Sequence, residues 1–106
     1  MRRLDIYVNE RKAGTLTEQG NGYTFRYDSD YLVSDGPSVS VTLSKREEAY
    51  KSSTLFPFFT NMMPEGANRK VICRTRKVDE RDSFGLLEAM AGKDFIGGVS
   101  IKPASK

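Results

Sequence analysis

The sequence predicts an α+β fold: an antiparallel sheet of about five strands, mostly from the N-terminal half, with two to three short helices packed on it and a closing C-terminal strand. Three observations predict it. Apolar residues alternate with polar ones through about residue 43, the apolar spacing then lengthens to three and four, and "IGGVSI" returns to alternation behind a glycine pair.

Leu4, Ile6 and Val8 alternate with Asp5, Tyr7 and Asn9, the pattern of a strand with one buried face. Asn9-Glu10-Arg11-Lys12 is a polar break, and "AGTLTEQ" runs back as a second strand with Leu16 inward and Gly14 weakening it. Gly20-Asn21-Gly22 tolerates positive φ and marks a tight turn into a third strand, where Tyr23, Phe25 and Tyr27 alternate with Thr24 and Arg26. "SDYLVSDGPS" reads as a connection with its turn at Asp35-Gly36-Pro37. Val39, Val41 and Leu43 then alternate with serine and threonine as a further strand.

Pro57 suits a first helical position, and Phe58 to Met63 can form almost two turns before Pro64 stops them. "ANRKVICRTRKV" places Ala67, Val71, Thr75 and Val78 on one side of an amphipathic helix and Arg69, Cys73 and Lys77 on another. Asp82 is a good N-cap for "SFGLLEAMA", in which Leu86, Leu87 and Met90 share a face and Gly92 can end the helix. Val99 and Ile101 alternate around Ser100 in the closing strand. The expected organisation is one domain over residues 1–102 and a short basic tail at 103–106.

Composition excludes more than it assigns. The 106 residues contain no histidine, which removes the usual general base, the commonest metal ligand and every Ser-His or Cys-His pair. Cys73 is the single cysteine, so neither an internal disulfide nor a thiolate metal cluster can form within one chain. "MRRLDIYVNE" has no apolar stretch of signal-peptide length and no run elsewhere approaches a membrane span, which makes a cytoplasmic protein without membrane contact the expectation. Net charge is +3 with an isoelectric point near 9.1, mild enough that the distribution of cations matters more than their sum.

The most apolar stretch is "LFPFFTNMMPEG". On a helix its Leu55, Phe56, Phe58, Phe59, Met62 and Met63 span roughly 160°, wider than the stripe of about 100° that one packing face needs. The segment therefore reads either as core or as a surface meant for another protein, since methionines and aromatics suit adaptable interfaces. Arg69, Lys70, Arg74, Arg76, Lys77 and Arg81 give the next segment a local positive excess. It reads either as a solvated helix face or as a phosphate contact lacking interleaved aromatics. Asp28, Asp30 and Asp35 lack calcium-loop spacing, and the glycine pair leads into a strand where a phosphate cradle leads into a helix. Cys73 has no histidine to activate it and is expected to be structural. No catalytic residue, metal site or cofactor is expected.

These residues resemble the N-terminal subdomain of HipA-type toxin kinases, over nearly the whole chain. Phe58, Phe59, Pro64, Glu65 and Gly66 match one family motif, in which Met62-Met63 stands where the family has two leucines. Asp82, Phe84, Leu86, Leu87, Asp94 and Gly97 match a second. Family kinases continue for several hundred residues through catalytic segments, so no catalytic residue carries over. What remains resembles the small separately encoded subunit of split, three-gene systems of the HipBST kind. The resemblance implies a non-catalytic, antitoxin-like subunit that binds a HipA-like serine/threonine kinase through Phe58, Phe59, Met62, Met63, Pro64, Glu65 and Gly66, with a helix-turn-helix DNA-binding antitoxin as third partner. The alternative expectation is nucleic-acid contact through the basic helix 67–78, led by Arg69, Lys70, Arg74 and Lys77.

Overall fold

In the computed structural model, which describes residues 2–63, 66–90 and 98–103, the N-terminal alternation becomes a three-stranded meander. Its strands are β1 (Arg2–Val8), β2 (Arg11–Gln19) and β3 (Gly22–Tyr27). A short β4 (Tyr50–Ser52) adds to β3 and the closing β5 (Val99–Pro103) adds to β1, giving the order β4-β3-β2-β1-β5 with every neighbour antiparallel. The α+β architecture and the closing strand agree with the sequence.

The β1–β2 turn is tighter than expected. Only Asn9 and Glu10 lie outside the strands, both at positive φ (50° and 68°), as the two central residues of a mirror-image hairpin turn require. Leu4 faces Leu16 and Ile6 faces Gly14, after which the register slips by one residue at Ala13 to form a bulge. A Cβ at Gly14 would collide with the backbone oxygen of Arg26, so this glycine permits close approach of β2 and β3.

Residues 39–43 are not the strand that alternation predicts. The chain turns there, with the Leu43 N–H donating to Ser40 O at 3.0 Å, so Val39 and Leu43 are buried while Val41, of the same parity, is 98% exposed. The Tyr27 hydroxyl accounts for this geometry: it accepts the Val39 N–H at 2.9 Å and donates to the Leu43 carbonyl. The strand that does complete this edge is Tyr50–Ser52, three residues with no periodicity to read.

Four helices occur among the described residues: α1 (Ser29–Leu32), α2 (Pro57–Met62), α3 (Gly66–Arg76) and α4 (Ser83–Ala89). The one beyond expectation, α1, is a single turn inside the stretch read as a connection. Pro57 begins α2 as predicted, and the Asp82 carboxylate caps α4 by accepting the Gly85 N–H at 3.0 Å. Gly92, the expected end of that helix, lies outside the described residues, as do Asp94 and Gly97.

One sheet face and the helices share the core. Leu4, Ile6, Leu16, Phe25 and Ile101 are buried against Phe59, Phe84, Leu86 and Leu87. Three ring pairs seat the helices on this face: Tyr27 stacks on Tyr31 of α1 at 6.1 Å, Phe25 meets Phe59 of α2 at 6.1 Å, and Tyr23 meets Phe84 of α4 at 6.3 Å.

Candidate functional site

The α2–α3 region divides its apolar residues between inside and outside. With Phe56 as N-cap, α2 turns Phe59 (0% exposed) and, at its end, Met63 (4%) into the core, together with Leu55 and Phe56. Phe58 is half-buried, edge-on to Phe59 at 5.3 Å. Among the described side chains, the outward part of the predicted apolar arc is thus Phe58, whereas Phe59 and Met63 are core. The Met62 side chain, Pro64 and Glu65 lie outside the described residues. Gly66 is exposed and opens α3 at a φ of 61°, where a side chain would be strained.

The expected orientation of α3 needs correction. Of the apolar side Ala67, Val71, Thr75 and Val78, Ala67 and Thr75 are exposed, Val71 is 57% exposed and Val78 is half-buried against the core, so all but its last residue face solvent. The buried residue is Cys73, flanked by half-buried Arg69, Ile72 and Val78. The helix is fixed in this rotation at both ends of its inner side. Arg69 donates twice to the Glu80 carbonyl, at 3.2 and 2.6 Å, tying α3 to the turn before α4. At the C-terminus Lys77 adopts a φ of 58°, Val78 N–H reaches back to Cys73 O at 2.8 Å, and Lys77 N–H reaches Arg74 O at 3.4 Å. This is the Schellman termination, which Lys77 completes in the place usually taken by glycine.

Of the predicted basic contacts, Lys70, Arg74 and Lys77 are exposed and Arg69 is half-buried. Beside them runs a shallow groove of about 510 Å³ whose lining mixes Lys70 and Arg74 with Asp79, Glu80 and Arg81. Asp79 accepts from Arg81 at 2.8 and 3.2 Å, and this pairing holds its carboxyl below the ordinary range. The groove is therefore of mixed charge.

Charge is locked more firmly at the other end of the helical face. Arg2 binds Glu18 through two hydrogen bonds, at 2.7 and 2.6 Å, and Asp82 through two more at 2.9 Å, while its guanidinium lies over the Phe84 ring at 5.1 Å. The Arg2 hydrogen bonds hold the Asp82 carboxyl below the usual carboxylate range. This cluster joins β1, β2 and α4 and has a structural role. No helix among the described residues is long and apolar enough to cross a membrane.

Phe58 on α2 and the Ala67, Val71, Thr75 row on α3 are thus left wholly or partly outside the core. Sequence reasoning found the row as one side of an amphipathic helix; its signal is the spacing of four between small or branched residues on an otherwise basic helix.

Comparison with known proteins agrees with the fold. The model of the HipA N-terminal domain matches residues 4–102. A protein of Haemophilus influenzae is 32% identical over 97 residues, covering 92% of this chain and 88% of its own length. Two Sinorhizobium fredii proteins, "Putative kinase Y4mE" and "Putative kinase Y4dM", are each 28% identical and match over 97% and 95% of this chain. The chain spans only 25% and 26% of their lengths. A solved structure, the N-terminal domain of HipA toxin, superposes with a TM-score of 0.75 at 26% identity, covering all of this chain and 95% of that one. The chain belongs to the HipA N-terminal domain family.

Proposed function

We propose that this chain is a non-catalytic, antitoxin-like regulatory subunit of the cytoplasm that binds a separately encoded HipA-like serine/threonine kinase and modulates its activity. The observation that carries this reading is the outward row on α3. Val71 stands 57% exposed on α3, whose core contact is made by Cys73, Ile72 and Val78, and Phe58 of the family motif is left half-buried on α2. Exposed branched residues and a half-exposed aromatic ring are what a partner can cover.

The relatives support the reading from two directions. In the Sinorhizobium proteins, whose names describe kinases, the matched domain is about a quarter of the chain, 25% and 26%. In the Haemophilus protein it is 88% of the chain, so the domain also occurs as nearly a whole protein. A free domain can occupy the position that the fused one has on its kinase, and its unequal affinity for active and inactive states sets the sign of regulation. Met62, Pro64, Glu65 and Gly66 belong to the same proposed contact, and a helix-turn-helix antitoxin is the proposed third member.

The test is affinity capture from native cells with kinase assays on the eluate, using wild type and Val71→Asp. Co-purification of a HipA-like kinase with wild type, lost in the variant, supports the proposal. A kinase whose activity falls on adding the protein makes the chain an inhibitor, and rising activity makes it an activating subunit. Equal capture by both forms would remove α3 from the interface.

A further inference from the structure

The sheet face opposite the core carries a second concentration of positive charge, apart from that of α3. Because antiparallel partners place side chains on the same face, the register defines rows across the sheet. One row runs Lys51, Thr24, Thr17, Arg3 from β4 to β1. The next runs Arg26, Thr15, Asp5, Lys102 from β3 to β5, and a third joins Lys12, Tyr7 and Ser100. Lys12 Nζ lies 3.6 Å from Asp5 and 3.6 Å from Asp28 at the rim, and Lys102 Nζ lies 4.5 Å above the Tyr7 ring, as expected of side chains sharing one face. The ring pairs that seat α1, α2 and α4 are all on the other side.

Arg3, Lys12, Arg26, Lys51 and Lys102 are exposed. Against these five cations, among the described residues, stand Asp5, which is buried at 4% exposure, and Asp28 at the rim, both beside Lys12, so the face keeps a clear positive excess. Between the cations stand hydroxyls: Thr15, Thr17, Thr24 and Ser100.

We propose that this face binds the phosphate backbone of duplex DNA, independently of the helical docking surface. A protein partner would need an apolar centre with aromatic anchors, and Tyr7, the face's aromatic ring, is already covered by Lys102. Backbone binding needs only cations and hydrogen-bond donors, both of which the rows supply. The same lack of stacking rings disfavours single strands. Each four-residue row carries cations at its two ends, three strand spacings or about 14 Å apart. That separation suits phosphates flanking a B-form major groove of about 12 Å, whereas the A-form major groove of RNA is narrow.

The experiment is fluorescence anisotropy of the full chain with a labelled DNA duplex of arbitrary sequence and about 20 base pairs, titrated across low to moderate salt. Five phosphate contacts give a slope of log affinity on log salt of about −4.5, falling to about −2 in Arg26→Gln/Lys51→Gln/Lys102→Gln, with at least a tenfold loss at low salt. Arg3→Gln/Lys12→Gln, from the remaining cations, should lower the slope by a comparable amount, which guards against one variant failing to fold. Arg74→Gln/Arg76→Gln on α3 should bind as wild type. An unchanged slope in both sheet-face variants overturns the proposal, as does loss of binding in the α3 variant alone. Equal affinity for an RNA duplex or for polyglutamate would likewise overturn the assignment to DNA.

Discussion

Arg2 and Asp82, 80 residues apart, meet fork to fork, with Nη1 to Oδ2 and Nη2 to Oδ1 both at 2.9 Å. The same carboxylate caps α4 through the Gly85 N–H, so one side chain closes the helix and fastens it to β1.

Replacing Asp82 by Ala should lower stability by about 1–2 kcal/mol, chiefly through the lost cap, since the ion pair is partly exposed and screened. Asp82→Asn keeps a cap but loses the charge. Because Arg2 lowers the folded pKa of Asp82 below the ordinary 3.8, the unfolded chain takes up this proton first on acidification. The stabilisation is fully present above about pH 5 and disappears as pH falls through the lowered folded value. Urea midpoints measured across the acid limb should therefore fall less steeply for Asp82→Asn than for wild type.

Tyr27→Phe should loosen the 38–44 turn while sparing the meander. The hydroxyl serves both Val39 N–H and Leu43 O in a buried setting, and removing it leaves two backbone groups without that partner, a cost of about 1–3 kcal/mol. Burial raises the Tyr27 pKa above 10.0, so its contribution holds below that value and declines as pH rises toward the folded pKa. Faster amide exchange at Val39 than at Phe25 in the variant would verify the local character.

The misread turn at 39–43 and the misphased α3 mark where sequence pattern gives way to tertiary contact. β1 to β3 were legible because one face is covered throughout, which keeps the period of two intact from Leu4 to Tyr27. Val39, Val41 and Leu43 mimic that period, but the Tyr27 hydroxyl supplies hydrogen bonds that draw the chain into a turn and leave Val41 outside. In α3 the helical period was legible and its phase was not. Cys73, with half-buried Ile72 and Val78 and the Arg69 bonds to Glu80 O, satisfies the inner side and leaves Val71 at the surface. Local rules fail here beside the proposed docking site. On the sheet's outer face the cations were legible only singly, because their rows depend on strand pairing that includes β4.

Glu10→Gly and Lys77→Gly should each stabilise the fold. Both residues are held at positive φ, 68° and 58°, which costs an L side chain about 1–2 kcal/mol against little for glycine. The greater entropy glycine loses on folding offsets part of this, leaving a gain of about 0.5–1 kcal/mol per site. A raised melting temperature in each variant, and an additive rise in the pair, is the expected calorimetric result, since the hairpin turn and the helix terminus share no contacts that would couple them.

Val71 and Cys73 provide a direct readout of α3. Cys73 is the only thiol and is buried at 3% exposure, whereas Val71, two residues earlier, is 57% exposed. The helix is anchored by few groups, chiefly Cys73 itself, half-buried Ile72 and Val78, and the Arg69 bonds to Glu80 O. Such an element opens at a free energy below that of global unfolding. Labelling of Cys73 by an aromatic disulfide reagent should thus proceed faster than the global unfolding equilibrium permits, and Arg69→Gln should accelerate it further. Val71→Asp should leave the labelling rate of the free protein nearly unchanged, because the side chain is already in water. A kinase seated on the Val71 row would hold α3 closed, so saturating partner should slow labelling at least tenfold in wild type and leave Val71→Asp unprotected. Protection of both forms alike would place the partner elsewhere on the domain.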